Sequence, residues 1–188
     1  MDRSSAGSGG STLTAWDGGL LPYTLCFIRR GSQLLLLERR RAPTLGFWNG
    51  VGGKLAAGES PRVGVLREVR EETGLDPSDL CDVRFGGVVT WYAADDGRPL
   101  GGMYVFVAAL PEDADYRTPR DTDEGVLDWR DIAWVLDAGN ESVAQGAHYF
   151  LQTLLEDPGR YEHRLVLAAD RITGYAVLPL SEKQCSPT

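Results

Sequence analysis

The sequence is short of the residues that small folds use as staples or as nucleophilic machinery. It has three cysteines, Cys26, Cys81 and Cys185, an odd number, widely spaced and without a Cys-x-x-Cys pair. That pattern argues against a disulfide framework and a cysteine-based zinc site, and it fits a reducing cytoplasm. The two histidines, His148 and His163, lie far apart, so no Ser/His/Asp or Cys/His arrangement is spelled out. Positive charge is also scarce. Nineteen Lys and Arg against 27 Asp and Glu leave a net charge of −8, which argues against general binding to DNA or RNA backbones. No apolar run approaches the ~18 residues of a membrane span. A secretory signal is not expected either, because no basic start leads into an apolar stretch.

What is present reads as one ordinary globular unit. The 188 residues are 43% hydrophobic and 24% charged, enough to bury a core without covalent help. Residues 1–18 are expected to be a Ser/Gly-rich tail, 19–182 the folded domain, and 183–188 a short C-terminal tail. Leu20 to Ile28 and Gln33 to Glu38 are apolar runs joined by Arg29-Arg30-Gly31-Ser32, a hairpin pattern. Ser60-Pro61 opens a helix that runs to about Thr73 and stops at Gly74. Val83 to Ala93 and Met103 to Leu110 read as strands around the turn Asp95-Asp96-Gly97-Arg98-Pro99. Val126 to Trp129, Leu165 to Leu167 and Tyr175 to Leu180 are further strands, and Asn140 to Glu156 a second helix. Many strands with two separated helices indicate an α+β fold.

The chemistry is concentrated in the first helix. Residues three and four apart share a helix face, so Glu68, Glu71 and Glu72 converge, with Arg67 and Arg70 nearby. Val65, Leu66 and Val69 fall on another arc and can dock the helix on a sheet. Clustered carboxylates in the C-terminal half of a helix repel one another and oppose its dipole. Two readings are open: a hard divalent cation compensates, or the face is simply solvated.

Spacing separates the two. Gly53, Glu59, Arg67, Glu68, Val69, Glu71, Glu72, Gly74 and Leu75 match, without gaps, all nine defined positions of the Nudix box. The chain therefore resembles the Nudix hydrolases, and within them the MutT type that acts on oxidised purine triphosphates. The resemblance implies a mixed β-sheet sandwiched between α-helices. It implies Mg²⁺, with Mn²⁺ as a substitute, held by Glu68, Glu71, Glu72 and the Gly53 carbonyl. Arg67 would orient a glutamate and Glu59 would be structural. The implied substrate is a small nucleotide, cleaved by water activated at the cation, with a carboxylate accepting its proton; Glu71 is a candidate. The enzyme would be cytoplasmic, a monomer or homodimer, with no nucleic-acid or membrane partner.

Outside the box the residues carry alternatives. Glu124 precedes a short strand, where several Nudix enzymes place a further acid; it is a cation ligand or general base, or an exposed turn residue. Trp48-Asn49-Gly50 before Gly52-Gly53-Lys54 is similar to the MutT-type stretch whose asparagine touches the base. Asn49 can read a purine edge or merely tolerate a turn. Lys54 belongs to the same implied substrate-binding stretch. Trp48 and Trp129 can stack on a base or sit in the core. Arg39, in the cluster Arg39-Arg40-Arg41, meets the phosphates or is solvated. One departure stands out: Val143 to Phe150 holds no Asp or Glu, where oxidised-purine relatives commonly carry an acid aimed at the base. Gln145, Asn140 or Glu141 are the substitutes to hand. Tyr92 lies where dinucleoside-polyphosphate hydrolases often have a tyrosine. Other nucleotides therefore remain open as substrates. A non-catalytic nucleotide sensor is a third reading, although such modules usually lose box glutamates and this chain keeps them all.

Overall fold

A computed structural model describes residues 16–40, 45–169, 171–181 and 184. The N-terminal residues 1–15, Arg41 and most of the expected C-terminal tail lie outside the described residues.

β1 (Tyr23–Arg30) and β2 (Gln33–Arg39) form the expected antiparallel hairpin. A two-residue β3 (Trp48–Asn49) pairs with β2. Helix α1 (Pro61–Thr73) starts after Ser60 with proline in its first turn. It ends where Gly74 adopts φ 75°, a left-handed conformation that costs glycine little, and donates its N–H to the Arg70 carbonyl. A 3-10 turn (Pro77–Asp79) leads into β4 (Cys81–Ala93) and β5 (Pro99–Ala109). Then come β6 (Arg120–Asp121), β7 (Gly125–Asp131), a short α2 (Ile132–Val135), α3 (Ala147–Glu156), β8 (Tyr161–Ala168) and β9 (Arg171–Pro179).

The strands make one mixed sheet in the order β6-β7-β2-β1-β5-β4-β8-β9. β1 runs parallel to β5 and β4 parallel to β8, while the remaining pairs along this order are antiparallel. Central strands are apolar on both faces, and their period of two divides the core into two layers. Cys26, Ile28, Leu35 and Leu37 meet Val65 and Val69 of α1. Leu25, Phe27, Leu34 and Leu36 meet Val135 of α2 and Ala147, Phe150, Leu151 and Leu154 of α3. The sheet is thus sandwiched between helices.

Two expectations need correction. The second helix begins at Ala147, not Asn140. The backbone of the preceding loop is spent on β3 instead: Trp48 N–H donates to the Ser142 carbonyl at 2.8 Å and Ala144 N–H to the Trp48 carbonyl at 2.9 Å. Val143 is buried there as a strand-like neighbour of Trp48, so its apolar character reflects the core and not a helical stripe. The tail expected through residue 18 is anchored at Trp16. Its side chain is buried against Tyr104, and its N–H donates to the Glu162 carboxylate at 2.6 Å. Gln184 reaches the Trp16 carbonyl from the other end of the chain. Cys26 is buried, which pushes its thiol up to about 12, and Cys81 is exposed. No helix among the described residues is long and apolar enough to cross a membrane.

Candidate active site

Four segments converge beside the C-terminal half of α1. The Gly50–Gly53 loop is laid against β1: Val51 exchanges both backbone bonds with Cys26, and Thr24 N–H donates to the Gly53 carbonyl at 2.9 Å. Helix α1 brings Glu68, Glu71 and Glu72, the end of β2 brings Arg39, and the loop before β7 brings Glu124. Together with Gly52, Gly53, Lys54 and Asp123 they line a cavity of about 340 Å³.

The glutamates have distinct environments. Arg67 is saturated with carboxylates. Its Nε lies 2.9 Å and its Nη2 3.0 Å from the two Glu59 oxygens, while its Nη1 reaches Glu68 at 2.8 Å and Glu71 at 2.9 Å. This bidentate, charge-assisted contact and the Ala56 N–H hold the Glu59 carboxyl down to about 2. Glu72 is buried and accepts the Gly52 N–H at 2.8 Å. Burial pushes its carboxyl up to about 7; the Gly52 N–H and Arg39 oppose the rise, and Glu68 and Glu124 add to it. A Cβ at position 53 would stand 2.5 Å from Glu68 Oε1, so a larger residue there would push that carboxylate out of its present place. Arg39 lies between Glu72, at 3.7 Å, and Glu124, at 3.2 Å.

The donor set fits a hard divalent cation. Four glutamates, with Asp123 beside them, and the Gly53 backbone line one small cavity, and Mg²⁺ takes oxygen ligands of this kind with waters and phosphates. The carboxylates are turned toward Arg67 and Arg39, however, and among the described residues no three acidic side chains stand ready-grouped around one cation position.

A second cavity, of about 430 Å³, opens from the first and shares Arg39, Gly52, Gly53 and Lys54 with it. Asn49 and Gln145 supply polar side chains there, and Leu25, Trp91, Met103, Phe150 and Leu165 supply an apolar wall. Asn49 Oδ1 accepts the Gly50 N–H at 2.9 Å, so the donor end of its amide is what it offers a ligand.

Several residues singled out in the sequence are not brought to this cavity. Trp48 is buried on the far side of β3, with Arg130 4.2 Å over its ring and Trp134 edge-on at 6.4 Å. Trp129 is in the α1-side core with Arg30 4.0 Å over its ring. Tyr92 points to the opposite face of β4, under Arg164. Arg40 pairs with Asp121. Asn140 is spent on the Trp134 carbonyl and the Ser142 N–H, and Glu141 lines a different hollow. Of the three proposed substitutes for the missing acid, Gln145 alone lines the cavity. Sequence reading missed Trp91, the tryptophan that does line it, with Tyr23 beside it at 6.4 Å. Strand alternation separates Trp91 from Thr90 and Tyr92, but it cannot say which face holds the cavity.

The family model described as NUDIX domain matches residues 20–153. The chain belongs to the Nudix family. A Bacillus subtilis Nudix hydrolase, YvcI, itself uncharacterized, is 30% identical over 136 residues, covering 72% of this chain and 80% of that one. A Mus musculus oxidized purine nucleoside triphosphate hydrolase is 40% identical over 61 residues, 32% of this chain and 39% of that protein. Among solved structures, the mutator MutT protein of Bacillus halodurans superposes with a TM-score of 0.65 at 25% identity, covering 84% of this chain and 97% of that one. The fold is thus the Nudix fold, and the chain is a Nudix pyrophosphohydrolase. Nudix hydrolases act on small nucleotides and generally use divalent metals.

Proposed function

We propose that this Nudix hydrolase is a nucleoside triphosphate diphosphatase of the MutT type, converting oxidised purine nucleotides such as 8-oxo-dGTP to the monophosphate and pyrophosphate. The observation that carries the reading is the pair of joined cavities. An apolar slot with Asn49 and Gln145 on its wall suits a purine, and it leads past Arg39 and Lys54 into the carboxylate cavity, where a phosphate chain would lie.

Glu68, Glu71, Glu72, Glu124 and the Gly53 carbonyl are the groups that would hold Mg²⁺ or Mn²⁺. Bound there, the cation neutralises phosphate charge and makes a water more acidic. Arg39 and Lys54 offer positive charge to phosphate oxygens. Arg67, locked by Glu59, keeps Glu68 and Glu71 in place. The attacking water's oxygen bonds to phosphorus, the bridging P–O bond breaks, and pyrophosphate leaves. The proton goes to a carboxylate of the set, Glu71 or Glu124. Trp91 is the cavity's stacking candidate, in place of Trp48 and Trp129. The enzyme would work in the cytoplasm as a nucleotide-pool sanitiser.

Initial rates with Mg²⁺ on 8-oxo-dGTP, dGTP, dATP, ADP-ribose and diadenosine polyphosphates test this. A kcat/KM for 8-oxo-dGTP about tenfold or more above dGTP is expected, worth roughly 1.4 kcal/mol. Asn49→Ala is expected to collapse that ratio toward one while sparing most of the activity on dGTP. A second reading, another nucleotide as preferred substrate, is favoured by Gln145 standing where an acid would read the oxidised base. Equal rates on 8-oxo-dGTP and dGTP would select it.

A further inference from the structure

Arg67 and Arg39 both face the site's glutamates, but they are held very differently. Arg67 makes four carboxylate contacts of 2.8 to 3.0 Å. Arg39 makes looser ones, 3.2 Å to Glu124 and 3.7 Å to Glu72, and its buried Nε has no acceptor. A guanidinium with an orphaned donor, one hydrogen bond to Glu124 and one stretched contact to Glu72 is in a compromise position. Glu72 adds a constraint. Its Oε2 is committed to the Gly52 N–H at 2.8 Å, so Oε1, the oxygen facing Arg39, is the one it has to offer a cation.

We propose that Arg39 is a built-in counter-ion that competes with the divalent cation for Glu72 and Glu124. It holds the two carboxylates together until the cation arrives and then yields. The inference rests on the reading of Glu72 and Glu124 as cation ligands.

The physical argument is one of charge. Glu68, Glu72 and Glu124 face one small cavity, and without a cation their mutual repulsion must be offset from within the chain. Arg39 is the guanidinium that lines this cavity, and it reaches ligands from two distant segments at once. Arg67 instead lies behind the carboxylates, tied to Glu59. A divalent ion at Glu72 Oε1 would sit beside the guanidinium, and like charges so close in a partly dry cavity repel strongly. One of them must move, and Arg39 has somewhere to go. It also lines the adjoining cavity, on the path proposed for the phosphates, where its unpaired donor can find an oxygen.

The test is calorimetric titration of the nucleotide-free protein with Mn²⁺, alongside thermal melts with EDTA and with Mn²⁺. Arg39→Met is expected to bind Mn²⁺ several-fold to about tenfold more tightly than wild type, because no cation has to be displaced. The same variant should melt lower in EDTA and gain more on Mn²⁺ addition. If it does not fold, Arg39→Lys serves: a compact ammonium cannot span both carboxylates as a fork does, so Mn²⁺ affinity should again rise. Glu72→Gln, run in parallel, should weaken Mn²⁺ binding. If it does while the Arg39 variants bind Mn²⁺ no more tightly than wild type, the counter-ion role is overturned. If Glu72→Gln leaves binding unchanged, the ligand assignment itself falls, and the inference with it.

Discussion

Glu71→Gln is expected to lower kcat for nucleotide hydrolysis by roughly 10³-fold while the melting temperature stays within about 2 °C of wild type. The two halves of that result have different origins. The Glu71 side chain is 58% exposed, and its contact with Arg67 is a single surface pair one helical turn away. Such pairs are worth only about 0.3–0.5 kcal/mol, so stability should barely respond. The chemistry should respond fully. Glutamine keeps the shape and loses the charge that a hard cation needs, and it cannot accept a proton from water. A structural glutamate would show the reverse pattern. Steady-state rates with saturating Mg²⁺, together with a melt of the same sample, decide it. Activity within about threefold of wild type would remove Glu71 from the reaction.

The second large effect is expected far from the carboxylate cavity. Arg164→Met should destabilise the protein by about 3–5 kcal/mol and lower the melting temperature by on the order of 10 °C. Glu162 is fully buried. Its carboxylate is held by Arg164 at 2.9 and 3.0 Å, by Thr90 Oγ1 at 2.7 Å and by the Trp16 N–H at 2.6 Å. Removing the guanidinium strands a buried negative charge, and desolvation that the pair had offset is then uncompensated. The aliphatic part of methionine keeps contact with Tyr92, so lost packing is a minor share. Urea unfolding gives the number directly. A double variant, Arg164→Met with Glu162→Leu, should recover much of the loss, because apolar replacement of a buried pair is often near neutral. A cost below about 1 kcal/mol for the single change would show that the network contributes little.

The local parts of this protein are written locally. The limits of α1 follow from Ser60-Pro61 and Gly74, and the structure places the helix at Pro61–Thr73. The hairpin of β1 and β2 and the pair β4 and β5 follow from apolar runs punctuated by turn residues. The common face of Glu68, Glu71 and Glu72 follows from helical period alone, and so does the adjoining arc of Val65 and Val69, next to which Glu72 falls. Family membership was legible in the same 23 residues, Gly53 to Leu75, because ligand spacing on a loop and helix is a property of sequence distance.

Tertiary structure decided everything that depends on which surfaces meet. Trp48, Trp91 and Trp129 all lie on strands, and strand alternation says which residues share a face but not which face holds a ligand. Packing put Trp48 and Trp129 in the core and Trp91 on the cavity wall. The segment 140–146 has apolar residues compatible with a helix, but the Ser142 carbonyl and the Ala144 N–H are bonded to Trp48 of β3, a partner nearly a hundred residues earlier. The burial of Glu72, the position of Arg39 between two glutamates, and the pairing of Glu162 with Arg164 beneath Trp16 likewise join distant segments. Periodicity reports the neighbours of a residue along the chain. The dielectric and the counter-charge around a side chain are set by neighbours across it, and these determine how each of the same glutamates behaves.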